Sequence, residues 1–414
     1  MYIKKNINRL LDSKYSVIKN LYEIPTYIGL PRISVCMAYG SNYYNGGFNA
    51  SGAGISFDNA KLSAIGEYVE RYCCLNPKKE RLKKSIFANK KNYIDPNLFN
   101  FFKTKDYDFK KKEISWIKGY DLINKKICYI PAEASFLSFN DIKNERIWIS
   151  NSTGAACGNT YEQVLWKGLA EVFERDAVQF TWRTGLKLEK INYKKNLKLK
   201  EFYNNYIKTK GITFHLFKLE MDWNLPAIFG IAEFDNGATV TGASVRGTWY
   251  EACEKTLIEL SQSIIGYASV IYGTTRIKYD LTFDNIKNYE DHSILYFNKE
   301  MKKNLNFLLN SNLFFDIPAK ESKKTDDEMI TFLLNEVKKI EKKAYFIDMT
   351  LPDILEYGWK VGRVLVPSFL DIEPGFIKIL KNNRIKEVKE YLLKEKLVDE
   401  NRFTGSPVVP HPFP

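Results

Sequence analysis

From about residue 32 onward, short apolar runs rich in β-branched and aromatic residues alternate with longer stretches of helical periodicity. The runs that predict strands cover residues 32–40, 126–139, 146–150, 211–220, 227–234, 238–244, 343–350 and 362–372. Asp235-Asn236-Gly237 predicts a hairpin turn, because Asn-Gly accepts the positive φ that such turns need. Hairpins mixed with helices favour an α+β fold over a strictly alternating doubly wound one.

Three segments of the chain repeat one pattern: residues 51–73, 152–177 and 241–263. Each segment starts with a Gly-Ala step and continues through a polar helix start into an amphipathic helix. The steps are Gly52-Ala53, Gly154-Ala155 and Gly242-Ala243, and the helix starts are Asp58, Thr160 and Thr248. An i, i+3 pair follows late in each helix, at Glu67/Glu70, Glu171/Glu174 and Glu259/Gln262. We therefore predict three Gly-Ala-led helix repeats packed against mixed or antiparallel sheets.

The paired glutamates indicate a chemistry for these helices. Residues i and i+3 share a helix face, so each pair presents two carboxylates to one point. Such oxygen ligands suit Mg²⁺, which binds through a few carboxylates together with substrate phosphates. Arg71 and Arg175 directly follow the pairs, and a guanidinium matches phosphate oxygens. The small residues that open each repeat allow backbone N–H groups to approach a nucleotide. Neither a P-loop nor a G-x-G-x-x-G motif occurs at these places.

A single E-x-x-E-R motif usually marks a solvated helix face with intrahelical salt bridges. Two features of this chain favour the metal–nucleotide interpretation instead. Apolar residues surround the carboxylates, and the pattern recurs after a similar small-residue opening.

Composition narrows the function further. The 414 residues carry a net charge of +13, but the lysines are spread along the chain, which disfavours a nucleic-acid partner. Residues 1–20 carry cations throughout and do not have the pattern of a secretory signal, so we expect none there. No apolar stretch reaches the about 18 residues that cross a bilayer. Six cysteines without a C-x-x-C pair indicate a cytoplasmic protein. Three histidines disfavour a His-rich zinc site and a Ser-His-Asp triad.

The chain ends in PVVPHPFP, which is apolar and proline-spaced. Most termini are frayed, but prolines hold an extended conformation that could enter a cleft. We expect an N-terminal extension over 1–31, a single catalytic domain over 32–404 with a peripheral helical insertion at 281–342, and a tail over 405–414.

These residues together resemble the YcaO family. The first helix is similar to the family's S-x-x-x-E-x-x-E-R signature at Ser63, Glu67, Glu70 and Arg71. Residues 152–177 resemble its second block, and the third helix resembles an E-x-x-Q helix followed by a G-x-x-R element at Gly273–Arg276. The resemblance extends over about residues 32–372 and the tail, and it implies a YcaO-type ATP-binding fold.

The resemblance implies ATP and Mg²⁺ as cofactors, with Glu67, Glu70, Glu171 and Glu174 holding the metal. It implies contacts to nucleotide or substrate for Ser63, Arg71, Asn159, Arg175, Glu259, Gln262 and Arg276. The family's azoline-forming members end in Pro-x-Pro-x-Pro, which Pro410, Pro412 and Pro414 match. The tail is therefore expected to reach the active site and, with Arg276, to act in catalysis.

The activity that the resemblance implies is cyclodehydration of Cys, Ser or Thr in a ribosomal precursor peptide. Its implied partners are that peptide and a separate leader-binding protein resembling ubiquitin-activating enzymes. A flavin dehydrogenase often follows in such systems, although nothing in this chain indicates a flavin site. A homodimer is compatible with the sequence.

Three positions depart from the family pattern: Ala53 stands where Lys is common, Gln163 where a second acid is common, and Ile264 where Arg is common. They keep open a non-catalytic scaffold with a degenerate nucleotide site. Thioamide formation is the alternative chemistry within the family, and the proline-rich end argues against it. A nucleic-acid-binding protein would rest on the net charge alone.

Overall fold

A computed structural model describes residues 10–11, 16–42, 46–87, 91–99, 107–139, 147–149, 151–193, 195–273, 280, 282–377 and 382–413. Arg276 and Pro414 lie outside these described residues. Helices pack on antiparallel sheets throughout the described part of the chain, which confirms the α+β prediction.

The first sheet has three antiparallel strands in the order β1-β2-β3: Ile18–Ile24, Ser34–Asn42 and Gly46–Gly54. The first strand lies in the predicted N-terminal extension, where the sequence indicated no element. Its pairing with β2 places Ile18 in the core. Gly52 of β3 is required by close approach, because a Cβ there would collide with the backbone of Ala64.

The second sheet has five strands in the order β11-β10-β9-β8-β12. They are β8 Glu189–Ile191, β9 Ile212–Lys218, β10 Ala227–Phe234, β11 Thr239–Val245 and β12 Phe314–Phe315. All pairs are antiparallel except β8 with β12. The predicted hairpin joins β10 to β11, with Gly237 at φ 89°.

The third sheet has the order β4-β5-β13-β14-β7, with β6 paired to β5. The strands are β4 Leu82–Ser85, β5 Ile114–Asp121, β6 Lys126–Pro131, β7 Ala155–Gly158, β13 Tyr345–Asp348 and β14 Lys360–Leu365. The strand predicted over 362–372 ends before Pro367, since proline has no N–H for a ladder bond. Of 146–150, the structure describes only 147–149, without an extended strand.

Three long helices follow three of these strands: α1 Phe57–Leu75 follows β3, α2 Tyr161–Thr184 follows β7, and α4 Trp249–Gly266 follows β11. Each begins with a hydroxyl N-cap, at Ser56, Thr160 and Thr248, that accepts a bond from the amide three residues on. The repeat seen in the sequence is thus a strand–helix unit in which the Gly-Ala step lies in the strand or at its start.

The remaining α-helices lie outside the three repeats. They are α3 Leu197–Phe202, α5 Ala268–Ile271, α6 Tyr289–Leu295, α7 Asn306–Leu309, α8 Asp326–Lys339, α9 Pro352–Glu356 and α10 Asn383–Lys394. Segment 281–342 contains helices, and it also buries Met301, Leu333 and Val337 in the large core cluster around α2. Among the described residues, no helix is long and apolar enough to cross a membrane.

Candidate active site

The helices of the three repeats border one cavity of about 840 Å³. Its charged lining consists of five acids and five bases, namely Glu67, Glu70, Arg71, Lys167, Glu171, Glu174, Arg175, Arg246, Lys255 and Glu259. Such a density of charge in one cavity indicates a polar, charged ligand.

The first E-x-x-E-R motif folds into one ion-paired group on α1. The Arg71 guanidinium contacts the Glu67 carboxylate at 2.5 Å and the Glu70 carboxylate at 3.4 Å. Glu70 is buried, and this burial together with the Glu67 charge raises its pKa well above the usual range.

The second motif repeats this arrangement on α2. Arg175 contacts Glu171 at 3.2 Å and Glu174 at 3.3 Å, and the Gly154 N–H donates to Glu171 at 3.1 Å. Gly154 has φ 78° and no room for a Cβ beside the Val364 carbonyl, so the structure requires glycine there. Burial raises the pKa of Glu174 to about 8. The two motifs thus hold their carboxylates in the same way.

The two motifs also act on each other electrostatically. Burial is the main cause of the raised pKa of both Glu70 and Glu171. The charge of Glu171 adds to the effect at Glu70, and the charge of Glu67 adds to it at Glu171. In addition, Arg175 Nε is buried without a hydrogen-bond partner. A cavity with crowded carboxylates and an unsatisfied guanidinium favours a ligand that brings both a cation and an anion.

Magnesium with a polyphosphate fits this set of donors. Within the described residues, no three acidic, His or Cys side chains form a ready metal-binding group. Each glutamate pair is instead bound to its own arginine. Mg²⁺ needs only one or two protein carboxylates when phosphate oxygens and water complete its shell. The residues therefore suit a metal that arrives with its nucleotide.

The third repeat differs from the other two. Its Glu259 is paired to Lys255 at 3.1 Å, and Gln262 Nε2 donates to the Ser51 hydroxyl of β3 at 2.8 Å. The third helix thus supplies an amide where the others supply a second acid, and it ties α4 to the strand that leads into α1.

The C-terminal tail reaches this cavity through Phe413. The ring of Phe413 packs on the Arg175 guanidinium, with 4.4 Å between Cζ and the ring centroid. The Thr241 hydroxyl donates to the Pro412 carbonyl and the Tyr296 hydroxyl to the Pro410 carbonyl, both at 2.7 Å. The tail is therefore bound along its backbone, and the phenyl ring contacts the site.

A stacked histidine pair fixes the middle of the tail. The rings of His292 and His411 lie 3.9 Å apart and nearly parallel. His411 Nε2 donates to the Glu373 carbonyl at 3.2 Å, while its Nδ1 accepts from the Phe413 N–H at 3.3 Å. Burial lowers the pKa of His292 to about 4 and the pKa of His411 well below its usual range. Both rings are thus neutral when the tail is docked.

Most residues singled out in the sequence line the cavity: Ser63, Glu67, Glu70, Arg71, Asn159, Glu171, Glu174, Arg175, Glu259 and Gln262. Pro410 and Pro412 do not line it. Of the three departures, Gln163 lines the cavity and accepts from the Asn159 N–H at 3.1 Å, whereas Ala53 and Ile264 lie in the core.

Sequence reasoning missed Trp166, Lys167, Arg246, Lys255 and Phe413, which also line the cavity. Two of them carried a usable signal. Lys167 and Lys255 each precede a predicted glutamate by four residues, which places them on its helix face. Arg246 follows a strand outside the repeated helix and carried no such signal.

Comparison with known proteins finds relatives of this chain. Residues 51–370, more than half of the chain, match the family described as YcaO cyclodehydratase, ATP- and Mg2+-binding. An uncharacterized protein of Methanothermobacter thermautotrophicus is 31% identical over 142 residues, which span 34% of this chain and 36% of that protein. The chain thus matches little more than a third of that relative's length.

Several solved structures share the fold. A heterocyclase in complex with substrate and cofactor has a TM-score of 0.76 at 18% identity, over 99% of this chain and 57% of that one. YcaO from Methanopyrus kandleri, bound with AMPPCP and Mg2+, has a TM-score of 0.65 at 16% identity, over 89% of each chain. The E. coli microcin synthetase McbBCD complex gives 0.62 at 17% identity, over 84% of this chain and 88% of that one.

Proposed function

The chain belongs to the YcaO family, and we propose that it forms thiazoline or oxazoline rings in a ribosomally made peptide at the expense of ATP. The expected cofactors, ATP and Mg²⁺, are confirmed as those of the family. The observation that carries the proposal is the presence of two partly buried E-x-x-E-R groups in one cavity, together with the tail's Phe413 on Arg175.

The proposed reaction is balanced without an oxidant. A Cys, Ser or Thr side chain adds to the preceding amide carbon, and the amide oxygen takes the terminal phosphoryl group of ATP. The C–O bond then breaks, and the side-chain thiol or hydroxyl and the amide nitrogen each give up a proton. The products are the azoline, ADP, phosphate and the released protons. An amide oxygen leaves poorly until it is phosphorylated, and phosphoryl transfer depends on positioning and charge neutralisation.

The chain's own residues supply that positioning. Glu67, Glu70, Glu171 and Glu174 would hold magnesium, which neutralises phosphate charge when bound. Arg71 and Arg175 would bind phosphate oxygens, and the glutamates that they now contact would serve as metal ligands. Phe413 lies on the Arg175 guanidinium and forms part of this wall of the cavity.

Ser63, Asn159, Glu259 and Gln262 line the same cavity. We propose that they contact nucleotide or peptide, while the leader segment of the peptide binds to a separate protein. The E. coli microcin synthetase, whose name describes a complex, supports such an arrangement.

The test is the mass of the peptide after incubation with the protein, its leader-binding partner and MgATP. We expect the loss of one water per ring, with ADP released in equal amount. The double variant Glu67→Gln/Glu171→Gln is the matched control and should leave the mass unchanged. Exchange of oxygen for sulfur would instead assign thioamide formation, and an unchanged peptide with wild-type protein would refute catalysis.

A further inference from the structure

Two cations in the cavity differ from the others in how they are bound. Arg71 and Arg175 each contact two carboxylates, and Lys255 contacts one. Among the described residues that line the cavity, Lys167 and Arg246 are the cations without a carboxylate partner. Their positive charges are therefore available to an anion.

The existing bonds of these two cations go to backbone carbonyls. Lys167 Nζ donates to the Cys157 carbonyl at 3.2 Å, and Arg246 Nη1 donates to the Val245 carbonyl at 2.7 Å. An ammonium has three donors and a guanidinium five, so these two bonds use one donor of each cation, and both residues line the cavity. Burial lowers the pKa of Lys167, and the positive charge of Arg246 lowers it further. This effect agrees with two cations that lie close together.

The surroundings hold this pair in place and favour an anion of high charge. Trp166 lies below Arg246, with 5.9 Å between Cζ and the ring centroid, and its indole N–H donates to Asp326 at 2.8 Å. The charges of Asp326 and Glu70 act to raise the pKa of Lys167, yet neither carboxylate forms an ion pair with it. Two neighbouring cations repel each other unless a ligand neutralises both, and one polyphosphate can do so.

The pair also lies beside the proposed magnesium ligands. Lys167 precedes Glu171 by four residues on α2, so the two side chains share a face one turn apart. Arg246 lies close enough to Glu174 to oppose the rise of its pKa. A phosphate chain held by metal on these glutamates therefore has Lys167 and Arg246 within reach, whereas a single carboxylate from a peptide would engage fewer of their donors.

We propose that Lys167 and Arg246 form a polyphosphate subsite that binds the phosphates of ATP beyond the first one. This inference rests on the proposed function and adds two binding residues outside both E-x-x-E-R motifs. The subsite would stabilise negative charge on the transferred phosphoryl group, as fixed cations do in phosphoryl transfer.

Calorimetric titration of the full chain with MgATP and with AMP tests the subsite. Lys167→Met and Arg246→Met should each weaken MgATP binding roughly tenfold, and the double variant roughly a hundredfold, because each removes charge-assisted bonds. AMP affinity should change by less than about twofold, as AMP lacks the phosphates concerned. Arg246→Lys should restore part of the loss. Lys386→Met, on the exposed side of α10, is the matched control and should bind like wild type.

The outcomes separate this inference from the proposed function. Thermal unfolding of each variant shows whether it is folded. If wild-type protein binds MgATP and the folded double variant binds it equally well, the subsite is refuted and the proposed function stands. If MgATP and AMP lose affinity equally, the pair does not bind the distal phosphates and the subsite is also refuted. If wild-type protein binds no MgATP, both fail.

Discussion

Arg175 and Asp176 are neighbours on α2, but they differ in how far the protein itself satisfies their hydrogen bonds. Asp176 Oδ2 accepts hydrogen bonds from Arg384 Nη2 at 2.7 Å and Nε at 3.1 Å. Its Oδ1 accepts from Arg384 Nε at 3.2 Å and from the Leu370 N–H at 2.9 Å. Arg384 also binds Asp222 at 2.5 Å. Arg175, by contrast, faces the cavity with a buried Nε that has no partner.

This difference distinguishes charged residues that stabilise the fold from charged residues that are available to a ligand. The Asp176–Arg384–Asp222 cluster is buried and its bonds are made within the protein, so it holds α10 onto α2. Burial raises the pKa of Asp176 as it raises those of Glu171 and Glu174, but the group around Arg175 also has buried donors without a hydrogen-bond partner. Only the second arrangement gains from a ligand, although one sequence motif, E-R-D-A, supplies residues to both.

The largest expected effect is a loss of stability when the Asp176–Arg384–Asp222 cluster is broken. Arg384→Met leaves two buried carboxylates without their cation, and it should lower the free energy of unfolding by about 3–5 kcal/mol. Urea denaturation followed by circular dichroism measures this. Arg175→Met should cost clearly less, because its glutamates border a cavity open to solvent and can take up protons. Equal losses for the two variants would contradict the comparison.

On the functional side, deletion of Pro412–Pro414 should reduce ring formation at least roughly a hundredfold, since misplaced groups cost that much. The deletion removes Phe413 from Arg175, a contact of about 0.5–1 kcal/mol, so nucleotide binding should change less than roughly fivefold. Peptide mass and calorimetry give the two readouts. Full turnover without the tail would remove it from the mechanism.

A smaller effect concerns the pH dependence of tail docking. His292 and His411 are neutral in the folded protein but titrate near pH ~6.5 when unfolded. The unfolded chain therefore binds more protons, and their contribution to stability is lost as the pH falls from about 7 toward 4. Burial raises the pKa of Glu373 to about 7, so its proton uptake in the folded state partly offsets this loss.

The measurement is the free energy of unfolding of the full chain minus that of a chain lacking 410–414, at pH 7 and pH 5. We expect the difference to shrink on acidification, because a proton on His411 Nδ1 removes the acceptor of the Phe413 N–H. In Glu373→Gln the decrease should be steeper, since the offset is gone. A difference that grows in acid would refute this assignment of charge.

The site residues that recur in the repeats could be predicted from the sequence, whereas site residues that occur once could not. Glu67, Glu70, Glu171 and Glu174 could be found because a Gly-Ala step and an i, i+3 pair recur at similar spacing. Arg246 stands outside that pattern and reaches the cavity only through the pairing of β10 with β11.

Other differences also come from long-range contacts. The proline spacing indicated an extended tail, but hydrogen bonds from Thr241 and Tyr296 decide that Phe413 faces the site. The strand β1 was missed because its stability depends on pairing with β2 rather than on its own alternation. Similarly, Gly-rich β3 has little strand propensity, and β2 and α1 hold it in place.

The central claim is that the two E-x-x-E-R groups bind ATP through magnesium, and calorimetric titration with ATP tests it most directly. We predict that wild-type protein binds ATP with Mg²⁺ and at least roughly tenfold more weakly with EDTA. The Glu67→Gln/Glu171→Gln variant should unfold like wild type and lose this metal dependence. Equal affinity with and without Mg²⁺, or an unchanged metal dependence in the variant, would contradict the account.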